Sequence, residues 1–266
     1  MIRDITIGQY YPAKSILHSL DPRVKLVGTF LYIISLFIVK HYTAYVLVTI
    51  FLLSAITLSK VPLKFIVKGL KQILILLIFT VGFNLFLTKG DPVVEFGFLT
   101  ITDQGIITAL KMGFRLIFLI IGSSLMTYTT TPNQLTDGLE NLLAPLNKIK
   151  IPVHEIAMMM SIALRFIPIL VEETDKIMKA QMARGADFES GNIIQRAKSL
   201  IPILVPLFVS AFRRANDLAM AMEARCYRGG KGRTKMKPLK YDKRDMITYF
   251  VMITFFILII STRILF

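Results

Sequence analysis

Two short stretches combine residue types suited to gripping a carboxylate on another molecule. In KAQMARGADF, residues 179–188, Ala183 and Gly185 flank Arg184; in MAMEARCYRGG, Ala224 and Cys226 flank Arg225. A guanidinium presents five N–H donors in a planar fork, stays charged at any working pH and can hold a carboxylate through two parallel hydrogen bonds. Small neighbours let such a helix end seat deeply, so that the charge can lie in a dry pocket. Either copy alone is also compatible with a plainer role. Arginine in a last turn complements the negative end of the helix dipole, and glycine just beyond supplies the left-handed residue that closes the helix. What points beyond capping is the recurrence of arginine between two small residues near a second helix end.

Other chemistry is sparse. No G-x-x-x-x-G-K-[ST] phosphate loop occurs, and RGGKGRT at 228–234 lacks the spacing and reads as a flexible basic linker. The chain is therefore not expected to hydrolyse ATP. His18, His41 and His154 are scattered, and with the single Cys226 they make no ligand cluster, so no metal site is expected. Met158, Met159 and Met160 read as deformable packing suited to a surface that meets several partners. Glu155, Glu172, Glu173 and Asp175 are acids that a membrane-embedded enzyme would need, but their helical spacing suits a solvated face.

The elements that carry these residues follow from composition. Of 266 residues 54% are hydrophobic and 18% charged, below the roughly 25% charged of soluble domains. This is the composition of an integral membrane protein. Five apolar stretches, 24–39, 43–58, 72–88, 112–128 and 246–264, are candidate spans, several near the short end of the roughly 17–25 residues that a crossing needs. Lys25, Lys40 and Tyr42 are placed to extend the first two at the interface. Residues 1–23 lack an apolar core flanked by a cleavage site, so no cleavable signal is expected.

The excess of 32 basic over 17 acidic residues has a pattern. Lys60, Lys64, Lys68 and Lys71 separate the second and third spans without an acid, whereas Asp91, Glu95 and Asp103 outnumber Lys89 between the third and fourth. Residues 129–245 carry 19 basic and 12 acidic side chains. Five spans place the N-terminus, the lysine segment and 129–245 on one side, which the positive-inside bias makes cytoplasmic. Lys111 and Arg115, at the outer entry to the fourth span, are the exceptions. No Asp or Glu lies within a span, which argues against an ion path through this chain.

The expected organisation is a membrane region over 1–128 with four spans, cytoplasmic helices over 129–245 and a final span within 246–266. Within 129–245 the pattern is helical, with helices expected over the Leu135–Leu143 region, from His154 past Pro168 to Arg184, and from about Ile193 to Cys226. IPILV occurs at 167–171 and again at 201–205, each time followed by a helix that ends in an arginine motif, which suggests two arms of similar build. In the second, Phe208, Ala211, Ala215, Leu218, Met222 and Arg225 make a stripe suited to close helix packing.

The paired alanine-arginine-small triplets resemble those of the T component of energy-coupling factor transporters, the family of cobalt-transport permeases of Q type. The resemblance covers nearly the whole chain and includes DPRVKL at 21–26, TYTTTPNQLTDGLENLLAPL at 127–146 and ALRFIPIL at 163–170. It implies an all-α integral membrane protein of about five transmembrane helices with helical cytoplasmic coupling arms. It further implies that Ala183, Arg184, Gly185 and Ala224, Arg225, Cys226 dock onto two ATP-binding-cassette ATPase subunits. ATP and magnesium would belong to those partners, and this chain would hold no cofactor. The membrane region would embrace a small substrate-capture subunit that delivers a vitamin, the scaffold being shared among several such subunits. The family's second triplet more often ends in serine, glycine or alanine, from which Cys226 departs while staying small. The alternatives are a subunit dedicated to cobalt or nickel and, from a different class, a membrane enzyme acting on a lipid or sugar.

Overall fold

The computed structural model describes residues 10–39, 41–96, 99–188, 190, 192–230, 236 and 238–265. Lys40 and much of the basic stretch at 231–237, both singled out in the sequence, lie outside them. The helices are α1 (Ile16–Ser19), α2 (Pro22–Ile38), α3 (Tyr42–Ser59), α4 (Leu63–Leu87), α5 (Asp103–Thr129), α6 (Pro132–Leu143), α7 (Val153–Ala183), α8 (Ile193–Ser199), α9 (Ile201–Ala224) and α10 (Lys243–Leu265). The chain divides into two compact units, one of Gly8–Leu139 with Leu239–Phe266 and the other of Glu140–Pro238.

In the first unit all five expected spans are helical. Asp21 starts α2 by accepting from the amide of Arg23, with Pro22 in the first turn. Between the second and third spans, the lysine segment is helix and not loop. α4 begins at Leu63 and bends by 59° between Leu63–Lys71 and Ile73–Leu87. Lys64, Lys68 and Lys71 recur at four- and three-residue steps and so share one face of its first portion, the pattern of an amphipathic helix. The acidic segment forms a short antiparallel hairpin, β1 (Pro92–Phe96) with β2 (Leu99–Thr102). Thr102 then caps α5 by accepting from Gly105 N.

By length and composition α3, α5 and α10 can each cross a membrane, and α4 joins them if its two portions are one span. α2, with 17 residues, is about 25 Å long at the usual rise, a little short of the roughly 30 Å hydrocarbon core. α7 and the stretch Ile194–Ala224 are also long and apolar enough. Hydropathy thus finds the helices without deciding which ones are immersed.

The core of this unit is aromatic at its centre. Phe51 stacks on Phe255 at 4.1 Å between ring centroids, with Tyr32 beside both. The Tyr32 ring lies against Gly122 with no room for a Cβ, and its hydroxyl donates to Phe118 O at 3.0 Å. Such close approach over a small residue is how helices associate where lipid removes the hydrophobic drive.

The charges at the base of α2 are tied down. Lys25 does not extend to an interface: it is buried, and its ammonium donates to Thr129 O at 2.9 Å and His18 O at 3.3 Å. Asp21 and Asp245 are buried too, the Asp21 amide donating to Asp245 Oδ1 at 2.9 Å. Arg23 grips Asp21 with two hydrogen bonds and lies 3.9 Å over the Tyr241 ring. DPRVKL thereby knots the start of α2 to the end of α5 and the start of α10. Arg115 donates to Val39 O at 3.0 Å and so satisfies a carbonyl at the end of α2.

Candidate functional site

The arginine motifs belong to the second unit, which is built on α7 and α9. Three contacts fix the pairing. Glu173 accepts from Ser210 Oγ and from Arg214 Nη2 at 3.0 Å and Nε at 3.2 Å, and Gln181 Nε2 donates to Pro202 O at 3.4 Å. Later residues of α7 meet earlier residues of α9, so the two helices run antiparallel. Glu173 is therefore a brace between the arms and not simply part of a solvated face. At the start of α7, His154 Nδ1 lies 2.8 Å from Glu140 Oε1, and Gly230 packs against its ring.

Both arginines stand immediately after the last helical residue, Ala183 or Ala224. After Arg184, Gly185 N donates to Met182 O at 2.9 Å and Ala186 N to Gln181 O at 3.0 Å. After Arg225, Cys226 N donates to Glu223 O at 2.8 Å and Tyr227 N to Met222 O at 3.0 Å. These are two copies of one Schellman ending, which uses up the terminal carbonyls. Gly185 and Cys226 take the left-handed position with φ of 87° and 57°. All six motif residues are exposed. Among the described residues neither guanidinium has a hydrogen bond or ion pair within the chain, so each fork is free to bind outward.

The arms differ at their beginnings. Pro168 of the first IPILV lies inside α7, whereas Pro202 of the second stands in the first turn of α9 and Pro206 lies inside it. The pentapeptide echo does not mark corresponding points. The expected stripe also divides. Ala211, Leu218 and Met222 are partly buried, while Phe208, Ala215 and Arg225 are exposed. The inward face of α9 is instead Ile203, Leu207, Ser210, Ala211, Arg214 and Leu218, which recur at three-, four- and seven-residue spacings and so lie on one side. Leu204, Val205, Phe208 and Phe212 remain at least 57% exposed, and Ile156, Met159 and Met160 on α7 are at least 41% exposed. Two helices this apolar, bonded to each other on one side only, present open surface for a further apolar partner.

Among the described residues no cluster of His, Cys, Asp or Glu is placed to hold a metal ion. The profile of the family described as Cobalt transport protein (CbiQ) matches residues 13–236. The chain is 57% identical over 255 residues to the energy-coupling factor transporter transmembrane protein EcfT of Ruminiclostridium cellulolyticum, covering 96% of each. It is 59% identical over 249 residues to the protein so named from Clostridium kluyveri, covering 93% of this chain and 92% of that one. To the one from Bacillus subtilis it is 48% identical over 246 residues, covering 92% and 93%.

Proposed function

This chain belongs to the cobalt transport protein (CbiQ) family as a transmembrane component of energy-coupling factor transporters, and we propose that it passes conformational change from ATPase subunits to a substrate-capture subunit. It is a multi-pass membrane protein that works within a multi-subunit transporter complex. The reading rests above all on the two exposed arginines at matched helix ends, unpaired among the described residues. Each guanidinium docks in a carboxylate-bearing groove of one of two ATP-binding-cassette subunits, with Ala183 and Gly185, or Ala224 and Cys226, giving clearance. The brace of Glu173 with Ser210 and Arg214 makes the arms move together. ATP and magnesium act on the partner chains, and this chain is a non-catalytic scaffold without a cofactor of its own.

The lysine distribution supports a cytoplasmic N-terminus and a cytoplasmic 129–245 region, with spans in 1–128 and 246–266. Under this reading α7 and α9 are apolar because the small capture subunit covers their open faces. Exposed Met159, Met160, Met182 and Met220 give that surface adaptable thioethers, which suits several capture subunits in turn and hence uptake of more than one vitamin. Affinity purification from native membranes tests the whole reading. Two ATPase chains and a small membrane subunit should co-purify, and ATP should be hydrolysed only by the assembly. Stoichiometric ATP binding or turnover by the isolated chain would overturn it.

A further inference from the structure

The first unit contains an apolar hollow of about 610 Å³ that neither the arginine motifs nor the coupling role uses. Its size falls within the roughly 300–1,000 Å³ of small-molecule sites. Leu52, Leu125, Tyr32 and Met252 contribute to its walls, from α3, α5, α2 and α10. At one end it adjoins a second hollow, with Ile16, Leu58 and Arg244 lining both. That second hollow is cationic: Lys14, Lys60 and Arg244 line it, and all three are exposed. Among the described residues Lys14 and Lys60 have no side-chain hydrogen bond or ion pair. Arg244 has only a 3.4 Å contact to Ser19 Oγ and an Asp242 oxygen at 4.0 Å. His18, also on the rim, is committed through both ring nitrogens, to Ser15 Oγ at 2.7 Å and Tyr11 O at 2.9 Å.

An apolar slot that opens onto converging cations, two without an internal partner among the described residues and one only weakly held, matches one kind of molecule. We propose that the two hollows form a site for an anionic phospholipid, with an acyl chain along the apolar hollow and the phosphate held by Lys14, Lys60 and Arg244. The cations come from three separate places in the chain: the segment before α1, the residue that ends α3, and the second residue of α10. Their convergence is a product of the fold and not of a basic run in the sequence. Basic pockets between transmembrane helices on the cytoplasmic side are suited to anionic headgroups, and Lys14 and Lys60 both lie in segments that the charge pattern puts on that side. A zwitterionic lipid could supply the same chain but would bring its own cation to the lysines. The proposal needs this unit to be membrane-embedded and does not depend on what Arg184 and Arg225 bind.

The chain contains no tryptophan, so Leu58→Trp places a single fluorescent reporter where the hollows meet. The full chain with its co-purifying partners is reconstituted in phosphatidylcholine bilayers doped with phosphatidylglycerol or phosphatidylcholine bearing brominated acyl chains, at equal mole fraction. Brominated phosphatidylglycerol should quench the reporter several-fold more strongly. Lys14→Gln/Lys60→Gln/Arg244→Gln should equalise the two lipids, and so should Ala55→Phe, which fills the apolar hollow and keeps the charges. Lys64→Gln/Lys68→Gln/Lys71→Gln removes as much charge from the same unit and should keep the preference. Equal quenching in the reporter protein, quenching by neither lipid because a partner helix fills the slot, or a preference that survives the first triple substitution would each overturn the proposal.

Discussion

Arg184 and Arg225 close their helices in the same backbone conformation, with φ −89° and ψ 8° in one and φ −91° and ψ 13° in the other. The match extends to the left-handed residue that follows and to the pair of hydrogen bonds each ending makes. Helix closure therefore does not compete with an outward binding role for either side chain. Backbone amides satisfy the terminal carbonyls, so the closure makes no demand on the guanidinium.

Because α7 and α9 run antiparallel, the two arginines stand at opposite ends of the pair. Arg184 lies within a turn of Gln181, which contacts Pro202; from there to Arg225 is about 35 Å along α9 at roughly 1.5 Å per residue. Spin labels at positions 184 and 225, in a Cys226→Ser background, should report a distance of that order by pulsed electron resonance. A separation below about 20 Å, little more than three helical turns, would refute the antiparallel arrangement.

The two endings differ in strain. Gly185 takes positive φ without penalty, whereas Cys226 holds a Cβ in the left-handed region, which costs an L-residue about 1–2 kcal/mol. Gly185→Ala should lower the thermal midpoint of the chain, followed by circular dichroism. Cys226→Gly should raise it, by less, because glycine loses more chain entropy on folding. The opposite ordering would show that these positions are not held left-handed.

The charged knot at the base of α2 makes a separate claim. Asp245 accepts from the amides of Asp21 and Asp242 at 2.9 and 2.8 Å, so Asp245→Ala leaves the buried amide of Asp21 unanswered. Lys25→Met keeps the stem and removes the donor to Thr129 O. Each should cost about 1–3 kcal/mol and lower the detergent melting midpoint, while Lys243→Ala on the exposed side of the same turn should not. Parental stability in both knot variants would mean that these contacts are replaceable by water.

Much of this was legible in the sequence, for local reasons. Long apolar runs announced α2, α3, α5 and α10, and leucines at helical spacing from Leu135 announced α6, which the structure starts with a reciprocal cap in which Thr131 N donates to Gln134 Oε1 and Gln134 N to Thr131 Oγ1. The arginine motifs stood out because a helix ending is written in consecutive residues. What stayed hidden depends on distant partners. Glu173 looks like any solvated acid until α9 brings Ser210 and Arg214 to it, and Lys25 looks like an interfacial lysine until the end of α5 supplies a carbonyl. Hydropathy does not separate α7 and α9 from spans, because open apolar faces and lipid-facing ones have the same composition. The hollow lined by Lys14, Lys60 and Arg244 has no sequence signal at all, since three remote segments assemble it.

The last prediction returns to the arginines. If each guanidinium is clamped by a buried carboxylate of an ATPase subunit, truncation leaves that carboxylate desolvated and unpaired. Such losses cost about 2–5 kcal/mol, against about 0–1 kcal/mol for an exposed ion pair. Arg184→Ala or Arg225→Ala should therefore weaken ATPase association and sharply reduce transport, while expression and membrane insertion persist, because the helix endings rest on backbone hydrogen bonds. Arginine to lysine should rescue only in part, since lysine keeps the charge and loses the fork. The two arms would grip one ATPase pair, so the linkage is bivalent, and the double variant should dissociate far more than either single one. Arg228→Ala, just beyond the second motif, should be mild. Co-purification of the ATPase chains and uptake assays in vesicles read all of these outcomes. Normal assembly and transport in both single variants and the double would reduce Arg184 and Arg225 to helix ends and nothing more.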